Sequence, residues 1–116
     1  MENKPKADVV RPIRFDPDAM GEPTAPGKTK REWYGDADGP FRAGIWTAQP
    51  GRNEVHYSVD EMCVLLAGVV RLTDAAGRVE TYRAGDTFLI PKGFTGIWET
   101  VEPVRKFYAV HKPGGG

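Results

Sequence analysis

Residues 61–93, EMCVLLAGVVRLTDAAGRVETYRAGDTFLIPKG, decide the fold. Turn residues recur at Gly68, Ala76-Gly77, Gly85-Asp86 and Pro91-Lys92-Gly93, and the runs between them are rich in Val, Ile, Leu and Thr. Apolar runs this short, punctuated this regularly, read as consecutive strands. The run from Met62 to Leu72 is interrupted only by Gly68 and Arg71, which is too continuous for a strand with one face in water but suits strands buried between two sheets. A helix is the competing reading. It fails because Val64, Val69 and Val70 are β-branched, Gly68 falls mid-run, and the Gly77 turn follows too soon for a helix end and linker. Residues 78–83 then alternate around Val79 and Thr81, and residues 87–90 form a compact strand ended by Pro91, which has no N–H to give to a ladder. The middle of the chain is a β-meander.

Outward from this stretch the pattern continues. On the N-terminal side, Phe41, Ala43, Ile45 and Thr47 share one face of a strand that Pro50-Gly51 ends, with Trp46 on the other face. Residues 54–59 form the next strand. The two-residue period puts Glu54, His56 and Ser58 on one face and Val55, Tyr57 and Val59 on the other. On the C-terminal side, residues 95–102 and, past Pro103, 104–111 read as two more strands rich in aromatic and β-branched residues. About eight short strands and no long helix make an all-β sandwich or barrel.

The flanks are different in kind. Residues 1–32 hold five of the ten prolines and thirteen charged residues, with Val9, Val10, Ile13 and Phe15 as the notable apolar cluster, so they read as an extended N-terminal arm. Within it VVRPIRF (9–15) suits a sheet edge or a second subunit, since Pro12 bars a central strand but permits an edge. PTAPGKTKR (23–31) reads as a solvated loop rather than a nucleic-acid patch. The ordered domain is expected over 33–112, and residues 113–116, PGGG, form a flexible tail.

Composition limits the function. A chain of 116 residues is one domain, able to bury about two thirds of its unfolded surface. Sixteen basic and sixteen acidic residues cancel, so no global field recruits nucleic acid or an anionic membrane. The single Cys63 forbids an internal disulfide and, within MCVLL, reads as a small buried hydrophobe rather than a reactive thiol. No apolar stretch approaches the roughly 18 residues of a membrane span, and the start lacks a signal-peptide core, which makes the cytoplasm the expected location.

Glu61 followed after six residues by Gly68 resembles the second half of the first cupin motif, and Gly85 followed after five residues by Pro91-Lys92-Gly93 resembles most of the second. With GIW (44–46), DEMCVLLAG (60–68), GDTFLIPKGFTGIWE (85–99) and EPVRKFY (102–108), residues 41–110 are similar to small single-domain cupins grouped with the cupin domain of (S)-ureidoglycine aminohydrolase. The resemblance implies a double-stranded β-helix, the jelly-roll barrel of RmlC-like cupins. It also implies a homodimer and a small-molecule ligand inside the barrel.

For the site, the resemblance implies a divalent metal, Mn, Fe, Ni or Zn, held by two His and a Glu from the first motif and one His from the second. Here Glu54 stands at the first His position, His56 at the second, Glu61 at the Glu, and Gly96 replaces the second-motif His. Ureidoglycine aminohydrolase has a metal set beginning Glu-x-His, which Glu54-Val55-His56 matches, while its remaining Gln has no counterpart. Glu54, His56 and Glu61 are thus the expected metal ligands, with Lys106 and Tyr108 as catalytic assistants if they face inward and Trp98 as a ligand-pocket wall. Two functions stay open: a metal-dependent enzyme acting on a small nitrogenous or carbonyl compound, and a metal-free cupin that binds a small molecule as sensor or carrier. Arg71, Arg78 and Arg83 are expected as outward charges guarding the sheet surfaces.

Overall fold

A computed structural model describes residues 21–35 and 39–112. They form eight antiparallel strands and no helix: β1 Glu22–Ala25, β2 Lys28–Tyr34, β3 Phe41–Ala48, β4 Gly51–His56, β5 Asp60–Asp74, β6 Val79–Arg83, β7 Thr87–Ile90 and β8 Thr95–His111. Among these residues no helix is long and apolar enough to cross a membrane. VVRPIRF and the 113–116 tail lie outside the described residues.

Two strands organise the rest. β5 and β8 run 15 and 17 residues, well beyond the usual length of about 3–10. Each serves both layers of the jelly roll. Residues 60–65 of β5 pair with β7 and with residues 106–111 of β8, while residues 69–74 pair with β6 and with residues 96–102. β8 in turn carries β4 on its first half and β3 on its second. One layer is therefore β1-β2-β3 with the far half of β8, the near half of β5, and β7; the other is β4, the remaining halves of β8 and β5, and β6. This is the double-stranded β-helix that the sequence implied.

The corner between the layers lies where Gly68 meets Pro103. The β5–β8 register shifts on either side of Gly68, between Ala67↔Arg105 and Val69↔Glu102. Gly68 has φ 94° and packs so closely that a β-carbon would stand 2.2 Å from the Pro103 carbonyl oxygen. A bulge of this kind bends a strand pair and leaves a ladder position empty. Pro103 falls there, so its missing N–H costs nothing, and the expected two strands, 95–102 and 104–111, are one continuous β8.

Two further boundaries differ from expectation. The domain start expected at Trp33 falls inside β2, because Lys28–Tyr34 pairs along β3 and the expected loop 23–31 folds as the β1–β2 hairpin over Gly27. The strand expected at 54–59 ends at His56; Tyr57 still bonds the same neighbour through its backbone, its N–H donating to the Phe94 carbonyl at 2.9 Å and its carbonyl accepting the Gly93 N–H at 2.7 Å. Between the layers Cys63, Leu65, Val70, Leu72, Phe88, Ile90, Trp98 and Val104 form the buried core. Arg71 and Arg78 bond outward-facing Glu99 and Asp74, and Arg83 is exposed.

Candidate functional site

The inner face of the larger layer can be read across its strands from the register. One row runs Lys30, Trp46, Lys106, Leu65; the next runs Glu32, Gly44, Tyr108, Cys63, Phe88; a third runs Arg42, Val110, Glu61, Ile90. From these rows Lys30, Trp46, Lys106, Glu32, Tyr108, Arg42, Val110 and Glu61, with Val55 and Tyr57 from the β4 side and Trp98 from β8, line a cavity of about 360 Å³. The floor is apolar core and the mouth is charged.

Lys106 is the centre of the cavity. It is 5% exposed, and its Nζ donates to Glu61 Oε2 at 2.5 Å, with Glu61 itself 8% exposed. The same Oε2 accepts the Cys63 thiol at 3.2 Å, and Nζ lies 3.7 Å from the Cys63 sulfur. Two indoles hold the ammonium from other sides: Nζ is 4.7 Å from the Trp46 ring centroid and 4.5 Å from that of Trp98. The two rings meet edge to face, 5.6 Å apart at 88°, and Trp98 Nε1 donates to Thr100 Oγ1 at 2.9 Å. A buried cation is tolerable only when paired and bonded, and here a carboxylate and two π faces do both.

Protonation follows from this geometry. Burial alone would lower the Lys106 pKa, but Glu61, with smaller help from Cys63 and Tyr57, overrides it and holds the amine protonated above its ordinary value. The Cys63 thiol is pushed up to about 12, first by burial and then by Glu61, against the opposing pull of Lys106. It stays a thiol at neutral pH and is no nucleophile. Burial also raises Tyr57, opposed by Lys106 and aided by Glu61. Tyr108 is raised by burial and by the hydrogen bond it donates to Glu32 Oε1 at 2.9 Å. Gly44 lies between them in the register, so no side chain blocks that reach.

The sequence-expected site residues divide into two groups. Lys106, Tyr108, Trp98 and Glu61 meet in the cavity. Glu54 and His56 are not with them. Both are exposed on the outer face of β4, where His56 Nδ1 lies 2.6 Å from Thr95 Oγ1. The reason is strand parity: Val55 and Tyr57 pack on the core, and the alternate residues must then face water. Glu61 is held by an ammonium rather than by a metal-ligand set, and among the described residues no three of His, Cys, Asp and Glu gather as one. The expected triad therefore does not fit a common metal ion.

Gly96 closes the same question from β8. A β-carbon there would stand 2.0 Å from the Thr73 carbonyl oxygen and 3.1 Å from the Phe94 ring. Gly96→His is accordingly expected to destabilise the fold by about 1–3 kcal/mol through overpacking and to add no metal affinity. Thermal melts with and without Zn²⁺ or Mn²⁺ check this; a stable variant that gains a metal-dependent melting shift would contradict it.

Sequence reasoning passed over Tyr57, Trp46 and the mouth residues Lys28, Lys30, Glu32 and Arg42. The signal for Tyr57 was in the alternation with Val55. For β2 it was the period-two spacing of Lys28, Lys30 and Glu32, which the Pro- and Gly-rich surroundings disguised as loop.

A family model described as the EutQ-like cupin domain matches residues 35–108. No curated protein sequence matches the chain. Among solved structures, the Clostridium difficile EutQ protein superposes with a TM-score of 0.66 at 16% identity, covering 75% of this chain. This chain spans 64% of that protein's length. A DUF861 family protein from Thermotoga maritima is 34% identical with a TM-score of 0.54, over 55% of this chain and 73% of that one. A putative ethanolamine utilization protein Q from Salmonella typhimurium LT2 is 22% identical with a TM-score of 0.62, over 73% of this chain and 68% of its own.

Proposed function

This chain belongs to the EutQ-like cupin domain family, and we propose that it binds a small polar organic molecule inside its barrel, with the Lys106–Glu61 ion pair supplying the fixed charges in place of a bound metal ion. The observation that carries this reading is the Lys106 Nζ–Glu61 Oε2 contact of 2.5 Å at the heart of the cavity. Glu61 is the one expected metal ligand that faces inward, and the chain's own ammonium is its cation.

The cavity suits such a role. Its volume of about 360 Å³ lies at the small end of the roughly 300–1,000 Å³ of ligand pockets. Its apolar walls are broken by a few fixed polar groups: Lys106, the Glu61 carboxylate, and the neutral phenols of Tyr57 and Tyr108. None of these is poised as a nucleophile, so binding is the chemistry they support best. The metal-dependent alternative needs Glu54 and His56 beside Glu61. Turning β4 by one residue to bring them in would send Val55 and Tyr57 out to water.

Elemental analysis of untagged protein purified without chelator, alongside His56→Ala prepared identically, tests the metal arm. Metal well below one ion per chain is expected in both. One Mn, Fe, Ni or Zn per chain that disappears in His56→Ala would overturn the reading. For the ligand arm, Trp46 and Trp98 line the cavity, so quenching of indole fluorescence by members of a panel of small polar compounds reports binding directly.

A further inference from the structure

Within the reading of the barrel as a small-molecule site, we infer that the ligand is a small organic anion with an apolar body, its anionic group seated at the mouth by Lys30 and Arg42. The walls carry four cationic side chains, Lys28, Lys30, Arg42 and Lys106, and two carboxylates, Glu32 and Glu61. Four minus two leaves the lining two positive charges in excess, although the whole chain is neutral. The excess is local.

The carboxylates are also spoken for. Glu61 is bound to Lys106, and Glu32 accepts the Tyr108 phenol. The Lys28, Lys30 and Arg42 side chains form no ion pair or hydrogen bond among the described residues, although the Arg42 charge acts on the Tyr108 phenol. Their placement follows from the fold. Lys28 and Lys30 lie on the same face of β2, Lys30 is in register with Trp46, and Arg42 is in register with Val110. Lys30 and Arg42 thus each flank an apolar wall residue on the neighbouring strand.

A concave site lined by one sign of charge above low-dielectric walls concentrates the opposite charge. Below the rim, Val55, Tyr57, Trp98 and Val110 offer surface for an uncharged body. A neutral ligand of the same shape would leave the mouth cations without a counter-charge. An amine would meet net repulsion. Carboxylate and phosphate ester share the required chemistry, and Arg and Lys side chains accept either.

The test uses the full chain and three matched probes of similar shape: benzoate, phenyl phosphate and neutral benzamide. Binding is followed by indole fluorescence and by melting temperature, at low and high salt. At least one of the two anions is expected to bind at least about tenfold more tightly than benzamide, a difference of about 1.4 kcal/mol, and to weaken as salt rises. The double variant Lys30→Gln/Arg42→Gln, altered only at the rim, is expected to keep the wild-type melting temperature and lose that preference. A preference for benzoate or for phenyl phosphate identifies which anion the mouth takes. Benzamide binding as tightly as both anions, or anion binding untouched in the double variant, would overturn the anion assignment while leaving the small-molecule reading intact. Failure of every probe, together with no response to the wider panel of polar compounds, would overturn both.

Discussion

Lys106→Ala is expected to cost about 3–5 kcal/mol of stability, because it leaves the Glu61 carboxylate buried without its counter-ion. The variant loses the 2.5 Å contact to Glu61 and the ammonium between the Trp46 and Trp98 rings in one step. For a domain of this size each kcal/mol moves the melting temperature by roughly 4 °C or more, so the loss is large in either a melt or a urea titration. The pair is also separable from mere packing. Glu61→Leu combined with Lys106→Met removes both charges and keeps the volume, and such replacements are often neutral or stabilising by about 1–4 kcal/mol. Recovery of most of the lost stability in the double variant is therefore expected. A double variant as unstable as Lys106→Ala would show that the charges themselves are not the cause. Because the folded-state pKa of Lys106 is raised, the stability linked to this amine's protonation is fully present below the ordinary lysine value of about 10.4 and is lost as pH climbs through the raised value. Stability across the neutral range should not depend on this group.

The second large effect is at the barrel corner. Gly68→Ala places a β-carbon on a residue with φ 94°, 2.2 Å from the Pro103 carbonyl oxygen and 2.7 Å from the Val104 α-carbon. The left-handed backbone contributes about 1–2 kcal/mol and the collision with fixed backbone about 1–3 kcal/mol more. Gly77→Ala is the matched control. Gly77 has φ 86° but nothing within 4 Å of its would-be β-carbon, so it suffers the backbone cost alone. A difference of at least about 1 kcal/mol between the two variants, measured by denaturant midpoints at unchanged m-value, is expected. Equal losses would mean that the corner can relax and that Gly68 serves only its dihedral.

The corner and the cavity show different degrees of legibility in the sequence. Gly68, Gly77, Gly85 and Gly93 all adopt positive φ, and each was readable as punctuation because a turn's demand on its residue is local. Pro103 misled for the same reason. A proline inside an apolar run ends a strand by default, and only the bulge opposite Gly68 makes it harmless. Lys106 and Tyr108 were legible as a same-face pair, but whether that face pointed inward depended on β3 and β5 flanking β8.

The jelly-roll architecture came only through the resemblance of residues 41–110 to cupins; local pattern and side-chain chemistry in the sequence were enough to determine an all-β chain, its strand positions from Phe41 onward to within a few residues, and the buried place of Cys63. These rest on interactions between near neighbours, which alternation and turn residues encode directly. Tertiary structure alone decided three things. It turned Val55 and Tyr57 inward and Glu54 and His56 out, because an alternating strand has two candidate faces and only packing against the opposite layer selects one. It made β2 a wall of the cavity, because Lys28, Lys30 and Glu32 become lining only once paired to β3. And it joined Glu61 to Lys106 across 45 residues of chain, since a buried ion pair is specified by which side chains are excluded from water together, a property of the closed barrel and of no segment within it.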